Sequence, residues 1–166
     1  MPPRPIRVLF LCLGNICRSP LAEGLFRAHV AAEPRLALCE IDSAGISAAH
    51  RGEPPDPRSI AVAKAHGLDI CAQRSRPLEP GDLERFDFIV AMDRRNRRDA
   101  AALGPFPEER LLLMRHFDPE SAEHDVPDPW YEGPGGFDEV YAMLHRAMAP
   151  LAEHILGVGP RRRSGG

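Results

Sequence analysis

Near the start of the chain a thiol and a guanidinium stand six positions apart, Cys12 and Arg18, with the hydroxyl of Ser19 and then Pro20 directly after. The apolar run Val8–Leu11 precedes the thiol, and Leu13, Gly14, Asn15, Ile16 and Cys17 fill the interval. A cysteine beside unpaired helix-terminal N–H groups and a cation is biased towards the thiolate. The planar fork of an arginine matches two oxygens of a phosphate. The spacing therefore points to an oxyanion site with a nucleophile at its floor, where one positive field holds the phosphate and activates the sulfur that attacks it. Gly14 allows a tight bend and Asn15 tolerates a left-handed backbone, so consecutive N–H groups of residues 13–19 can turn inward as a nest. Ser19 fits two tasks, N-cap of the following helix and hydroxyl donor to the sulfur. Two other phosphate loops do not fit, because G-x-x-x-x-G-K-[ST] is absent and Gly14 alone cannot supply G-x-G-x-x-G.

Such a loop needs a strand before it and a helix after it. Ile6–Leu11 is short, continuous and branched, as expected of a strand covered on both faces. From Pro20 onward Leu21, Ala22, Leu25, Phe26 and His29 recur at helical spacing, with Ser19 as N-cap and Pro20 at the first helical position. Further strands are expected at Leu36–Ile41, Phe86–Met92 and Arg110–Met114. Helices are expected from Asp56-Pro57-Arg58 to the stop at Gly67, over Asn96–Leu103, and from Phe137 through Val140, Tyr141, Leu144, Met148 and Leu151 to Ile155. Alternation of this kind predicts an α/β fold, a parallel sheet flanked by helices on both faces in three layers, with ligands at the carboxyl ends of the strands. The phosphate-binding loop, between first strand and first helix, lies there by construction. Residues 1–156 read as one domain, and 157–166 as a disordered tail.

Composition narrows the classes. With 43% hydrophobic and 27% charged residues and a net charge of -3, the 166-residue chain reads as a soluble globular protein with no general attraction to nucleic acid or an anionic membrane. Arg94-Arg95-Asn96-Arg97-Arg98 reads as a solvated helix face and Arg161-Arg162-Arg163 as a frayed end. No apolar run approaches the roughly 20 residues of a membrane span, and the N-terminus is unlike a signal peptide, so a cytoplasmic location is expected. The four cysteines show neither a disulfide framework nor zinc-ligand spacing, which leaves free thiols and no metal or other cofactor.

A phosphoryl group leaving an alcohol or phenol needs a proton donor opposite the nucleophile. The long connection before the last helix offers Asp118, Asp125 and Asp128, the last held between two prolines. From the residues alone all three compete.

Cys-Leu-Gly-Asn-Ile-Cys-Arg-Ser-Pro at residues 12–20 resembles the active-site loop of the low-molecular-weight protein tyrosine phosphatases. Asp42-Ser43-Ala44-Gly45, Pro55-Asp56-Pro57-Arg58, His66-Gly67-Leu68, Ala91-Met92-Asp93-Arg94 and Asp128-Pro129-Trp130-Tyr131 extend the likeness from Ile6 to Leu156. The resemblance implies a four-stranded parallel sheet, no metal, hydrolysis of phosphotyrosine through a phosphocysteine, and Asp128 as the acid. It also implies a hydrogen-bonded support of Asn15, Ser19, Ser43 and His66, and Cys17 as the thiol that traps an oxidised Cys12. Trp130 and Tyr131 are expected to wall the entrance. Opposite them the family usually carries a bulky aromatic, whereas this chain has Ser47-Ala48-Ala49-His50-Arg51, which makes His50 the polar counterpart. The implied partner is a phosphotyrosine protein, whether a bacterial tyrosine kinase or a host protein.

Three other readings share the loop. Arsenate reductases need further redox cysteines near residues 80–90, and none lies between Cys71 and Asp128. Protein arginine phosphatases resemble the same scaffold with a threonine where Ile16 stands. A non-catalytic phosphate-binding or redox-sensing module would have no use for an acid beside the thiol.

Overall fold

The strand before the loop is apolar from Val8 to Leu11 because it runs through the middle of a sheet covered on both faces. The computed structural model describes residues 4–162. Its strands β1 (Arg7–Cys12), β2 (Glu40–Gly45), β3 (Phe88–Ala91) and β4 (Leu111–Leu113) pair in parallel in the order β2-β1-β3-β4. The helices are α1 (Arg18–Ala31), α2 (Pro57–Ala65), α3 (Pro80–Arg85), α4 (Arg94–Leu103) and α5 (Pro134–Val158).

Side chains alternate across the sheet. Val8, Phe10 and Cys12 enter the larger core with Leu21, Leu25 and Phe26 of α1, Val62 of α2 and Leu144 and Leu151 of α5. Leu9 and Leu11 enter the smaller one with Leu83 of α3, Phe86, Ile89 and Ala100 of α4. The expected three-layer α/β arrangement with four parallel strands is therefore present. The chain leaves β1 towards β2 on one side and later returns to β3 on the other, so the loop after β1 opens at the crevice where strand order reverses. Among the described residues no helix is long and apolar enough to cross a membrane.

The second strand lies four residues later than expected. Pro34–Leu36 is a 3-10 turn, capped by the Glu33 side chain on the Arg35 N–H and anchored by buried Leu36. Pairing begins at Glu40, whose N–H donates to the Ile6 carbonyl at 2.8 Å. The strand that follows carries Asp42 and Ser43, whose polarity hid it. Helix α1 also starts earlier than expected, at Arg18 with Cys17 as N-cap, so Ser19 lies inside the first turn and caps nothing.

The tail, too, differs from expectation. Helix α5 continues to Val158, and the Arg161 N–H donates to Asp87 Oδ1 at 2.9 Å while its guanidinium reaches the carbonyls of Leu83 and Phe86. Residues 163–166 lie outside the described range. Asp87, fully buried at the start of β3, also takes the Arg7 N–H at 2.8 Å and the Arg4 guanidinium at 2.6 Å. Burial would raise its pKa, but these donors outweigh it and hold it below the ordinary carboxylate range. A lowered folded pKa gives stability that is full above the unfolded value and lost as pH falls through the folded one. Asp87→Ala is expected to cost roughly 3 kcal/mol in urea melts at neutral pH. That difference from wild type should shrink as the melts are repeated below the ordinary aspartate pKa.

Candidate active site

The loop after β1 is held by its carbonyls. Those of Cys12 and Leu13 accept the N–H groups of Ile46 and Ser47, and that of Ile16 accepts the Asp56 N–H, all at 2.8–3.0 Å. Those of Gly14 and Cys17 accept the hydroxyls of Ser75 and Ser59 at 2.9 and 3.1 Å. In a planar trans peptide the following N–H points the opposite way. The amides of Leu13, Gly14, Asn15, Cys17 and Arg18 therefore face the loop's centre, and Asn15 N sits 3.3 Å from Cys12 Sγ. Asn15 has φ 57°, the left-handed turn that closes the ring. Its side chain braces the loop, with Nδ2 donating to Ser19 Oγ at 2.8 Å and Ser43 Oγ at 2.9 Å and Oδ1 accepting the Arg76 N–H at 3.1 Å.

Arg18 is 2% exposed, and a buried guanidinium needs partners. Its Nη1 donates to Asp93 Oδ2 at 2.7 Å and to the Val126 carbonyl at 2.9 Å, and Nη2 lies 3.7 Å from Asp128 Oδ2. Burial alone would lower its pKa; Cys12, Asp93 and Asp128 together raise it instead. Asp93 is also the N-cap of α4, accepting the Asn96 N–H at 2.7 Å. Nothing in the sequence links Asp93 to an arginine 75 positions away.

The three competing carboxylates separate in space. Asp118 is buried under a bidentate grip from Arg146 at 2.9 Å, and Asp125 holds Arg94 through backbone and guanidinium. Asp128 alone of the three lines the cleft over Cys12, its Oδ1 accepting the Trp130 N–H at 3.0 Å and so fixing the 3-10 turn Pro129–Tyr131.

The two loop thiols differ. Cys12 Sγ is 3.0 Å from Ser19 Oγ. Burial, with the negative charges of Asp56, Cys12 and Asp128, pushes the Cys17 thiol up to about 12. All four cysteines are free.

The cleft is about 340 Å³. Trp130, 37% exposed, stands on one side and His50 on the other, their rings 5.9 Å apart, with His50 Nδ1 paired to Glu53 at 2.5 Å. The side chain of Tyr131 lies outside the described residues. Arg58, not foreseen as a site residue, packs over the Trp130 ring and donates to the Trp130 carbonyl at 3.1 Å while doubly bonded to Asp56, so it ties the Pro129–Tyr131 turn to the segment that backs the loop after β1. His66 corrects an expectation. It caps α2 and stacks on Tyr141 at 3.8 Å, away from Asn15, because the helix end turns its ring towards α5. The support is completed by Glu23 and the Arg76 backbone instead.

The family model for low molecular weight phosphotyrosine protein phosphatase matches residues 7–157. A low molecular weight protein-tyrosine-phosphatase of Streptomyces coelicolor is 40% identical over 159 residues, 91% of this chain and 96% of that protein. A protein tyrosine phosphatase of Entamoeba histolytica, solved with Hepes in the active site, superimposes with TM-score 0.87 at 32% identity over 92% of this chain and 98% of its own. A Drosophila arginine phosphatase does so with TM-score 0.80 at 30% identity over 90% and 97%.

Gly45 ends β2 directly behind the loop, where an added Cβ would lie 2.9 Å from the Leu13 carbonyl and 3.1 Å from Asn15 N. Gly45→Ala must push the loop aside. Phosphate or vanadate affinity, measured by calorimetry, is expected to fall about tenfold, in line with overpacking costs of 1–3 kcal/mol.

Proposed function

The chain belongs to the low molecular weight phosphotyrosine protein phosphatase family, a protein tyrosine phosphatase and hydrolase of phosphoric monoesters, and we propose that Cys12, Arg18 and Asp128 carry its reaction. One observation carries this reading: a sulfur beneath inward amides, a buried guanidinium and a carboxylate line a single cleft.

The phosphoryl oxygens rest on the amides of residues 13–19, with the Arg18 fork across two of them. The Cys12 thiolate attacks phosphorus in line, forming the S–P bond as the P–O bond to the phenol breaks, and Asp128 gives its proton to the departing phenolic oxygen. Water then attacks the phosphocysteine, its proton passes to Asp128, and the sulfur leaves with the Ser19 hydroxyl donating to it. Asn15, Ser19 and Ser43 keep the loop in shape. Cys17, with a pKa near 12, remains a neutral thiol and does not compete as nucleophile.

Trp130 supplies a flat wall for the substrate ring, and His50 a smaller, polar wall opposite. Ile16 at the floor favours an aryl phosphate over a phosphoguanidinium by apolar contact. The substrate is a phosphotyrosine protein, a kinase or host protein of the cytoplasm, where a reducing milieu keeps Cys12 active. When peroxide converts Cys12 to a neutral sulfenic acid, one of the charges that holds the proton on Cys17 is removed; Cys17 then attacks the sulfenic sulfur, its proton and the hydroxyl leave as water, and the disulfide formed is reversed by reduction.

Hydrolysis of para-nitrophenyl phosphate should vanish in Cys12→Ser and drop about 10²–10⁴-fold in kcat in Asp128→Asn. Faster cleavage of phosphoarginine than of phosphotyrosine peptide would overturn the substrate assignment. Because Asp128 must begin protonated while Cys12 is ionised, the wild-type rate is expected to follow a bell peaking on the acid side of neutral, and Asp128→Asn should lose the limb that falls at higher pH. Recovery of activity after peroxide and thiol treatment should be poorer in Cys17→Ser than in wild type.

A further inference from the structure

The hydrogen bonds around Asn15 continue beyond Ser43 to a buried carboxylate. Glu23, on α1 and 5% exposed, accepts the Ser43 hydroxyl on Oε1 at 2.7 Å and Arg27 Nε on Oε2 at 2.9 Å. Arg27 is itself held by the Ile41 carbonyl, 2.6 Å from Nη2. A carboxylate has no hydrogen to give, so Ser43 must donate to it. Only lone pairs of Ser43 Oγ then remain for Asn15, whose Nδ2 lies 2.9 Å away. The second Nδ2 hydrogen reaches Ser19 Oγ at 2.8 Å. Having accepted there, Ser19 keeps its own hydrogen for Cys12 Sγ at 3.0 Å.

We infer that Glu23 is a positioning residue for the reaction: by taking the hydrogen of Ser43 it makes the chain run one way, so that Ser19 donates to the Cys12 sulfur. This rests on Cys12 as the nucleophile. The competing arrangement turns the Asn15 amide over, so that Oδ1 receives both serine hydroxyls and the sulfur loses its hydroxyl donor. Two groups block it. The Arg76 N–H, 3.1 Å from Oδ1, would face an NH₂ group, and Glu23 would lose the hydrogen of Ser43. Only the second block is a side chain and can be removed. A donated hydroxyl favours the thiolate before attack and stabilises sulfur again as the S–P bond breaks.

The pH dependence of Cys12 carboxymethylation by iodoacetate, followed by mass spectrometry on the whole protein, tests this without a phosphatase assay. Failure of the inference is thus distinguishable from failure of the catalytic reading, which Cys12→Ser turnover would expose. Glu23→Ala is expected to raise the midpoint by about half a pH unit or more, the scale on which one directed hydrogen bond acts in a buried network. Glu23→Gln, whose amide oxygen still takes the Ser43 hydrogen, should stay near wild type. Ser43→Ala removes the same restraint from the other side, so it should show a similar rise, and the double variant no greater one; it carries the test if Glu23→Ala folds poorly. An unchanged midpoint in Glu23→Ala and Ser43→Ala, or an equal rise in Glu23→Gln and Glu23→Ala, overturns the inference. Loss of thermal stability alone, with no change in midpoint, does the same, since packing would explain it.

Discussion

Outward-facing carbonyls are the constraint on which the rest of the molecule depends. Peptide planarity lets a loop present a ring of N–H groups only if its C=O groups find donors on the far side. Here those donors come from the turn after β2, from the start of α2 and from Ser75, three segments scattered through the first half of the chain. The edge strand, the second helix and the segment leading to α3 can be understood as a shell around eight residues. It also fits the start of α1 without a side-chain cap: its first N–H groups face the centre of the loop, and a serine oxygen placed on them would fill the space proposed for the anion.

A second constraint is the burial of Arg18. A guanidinium withdrawn from water must be surrounded by acceptors, and the three it has come from α4 and from the connection before α5. The positions of Arg18 and Asp128 are thereby joined, and with them the anion recognition and proton donation proposed for the two. Any shift of the connection that moves the Val126 carbonyl also moves the arginine that would grip the substrate. Arg58, lying over Trp130 and bonded to Asp56, makes a second bridge between the same two loops on the outer side.

What sequence disclosed followed how local each feature is. Strand, loop and helix are contiguous, so Cys12, the bend at Asn15 and Arg18 could be read as one unit before any fold was known. The proposed acid could not, because Asp118, Asp125 and Asp128 look alike until the fold pairs Asp118 with Arg146 and Asp125 with Arg94 and brings only Asp128 to the cleft over Cys12; in the sequence only family likeness separates them. Asp93, Glu23 and Arg58 act across 75, 20 and 72 positions, and nothing local marks them as partners of Arg18, Ser43 and Trp130. β2 lies later than its apolar run suggests because Asp42 and Ser43, in the middle of the strand, interrupt the apolar pattern. A short motif suggests His66 for the support of the loop, but its ring packs on Tyr141 of α5. Arg161 reads as part of a solvated tail because its acceptors, Asp87 and two carbonyls, are more than 70 positions earlier.

That last contact gathers Arg4 and Arg161 on one aspartate at the edge where β1 and β3 begin, while Cys12 opens at the edge where β1 ends. Added polypeptide at either end, such as a targeting module or a surface tether, would emerge on the rear of the molecule. The protein could then be immobilised or fused from either side with the cleft over Cys12 left open.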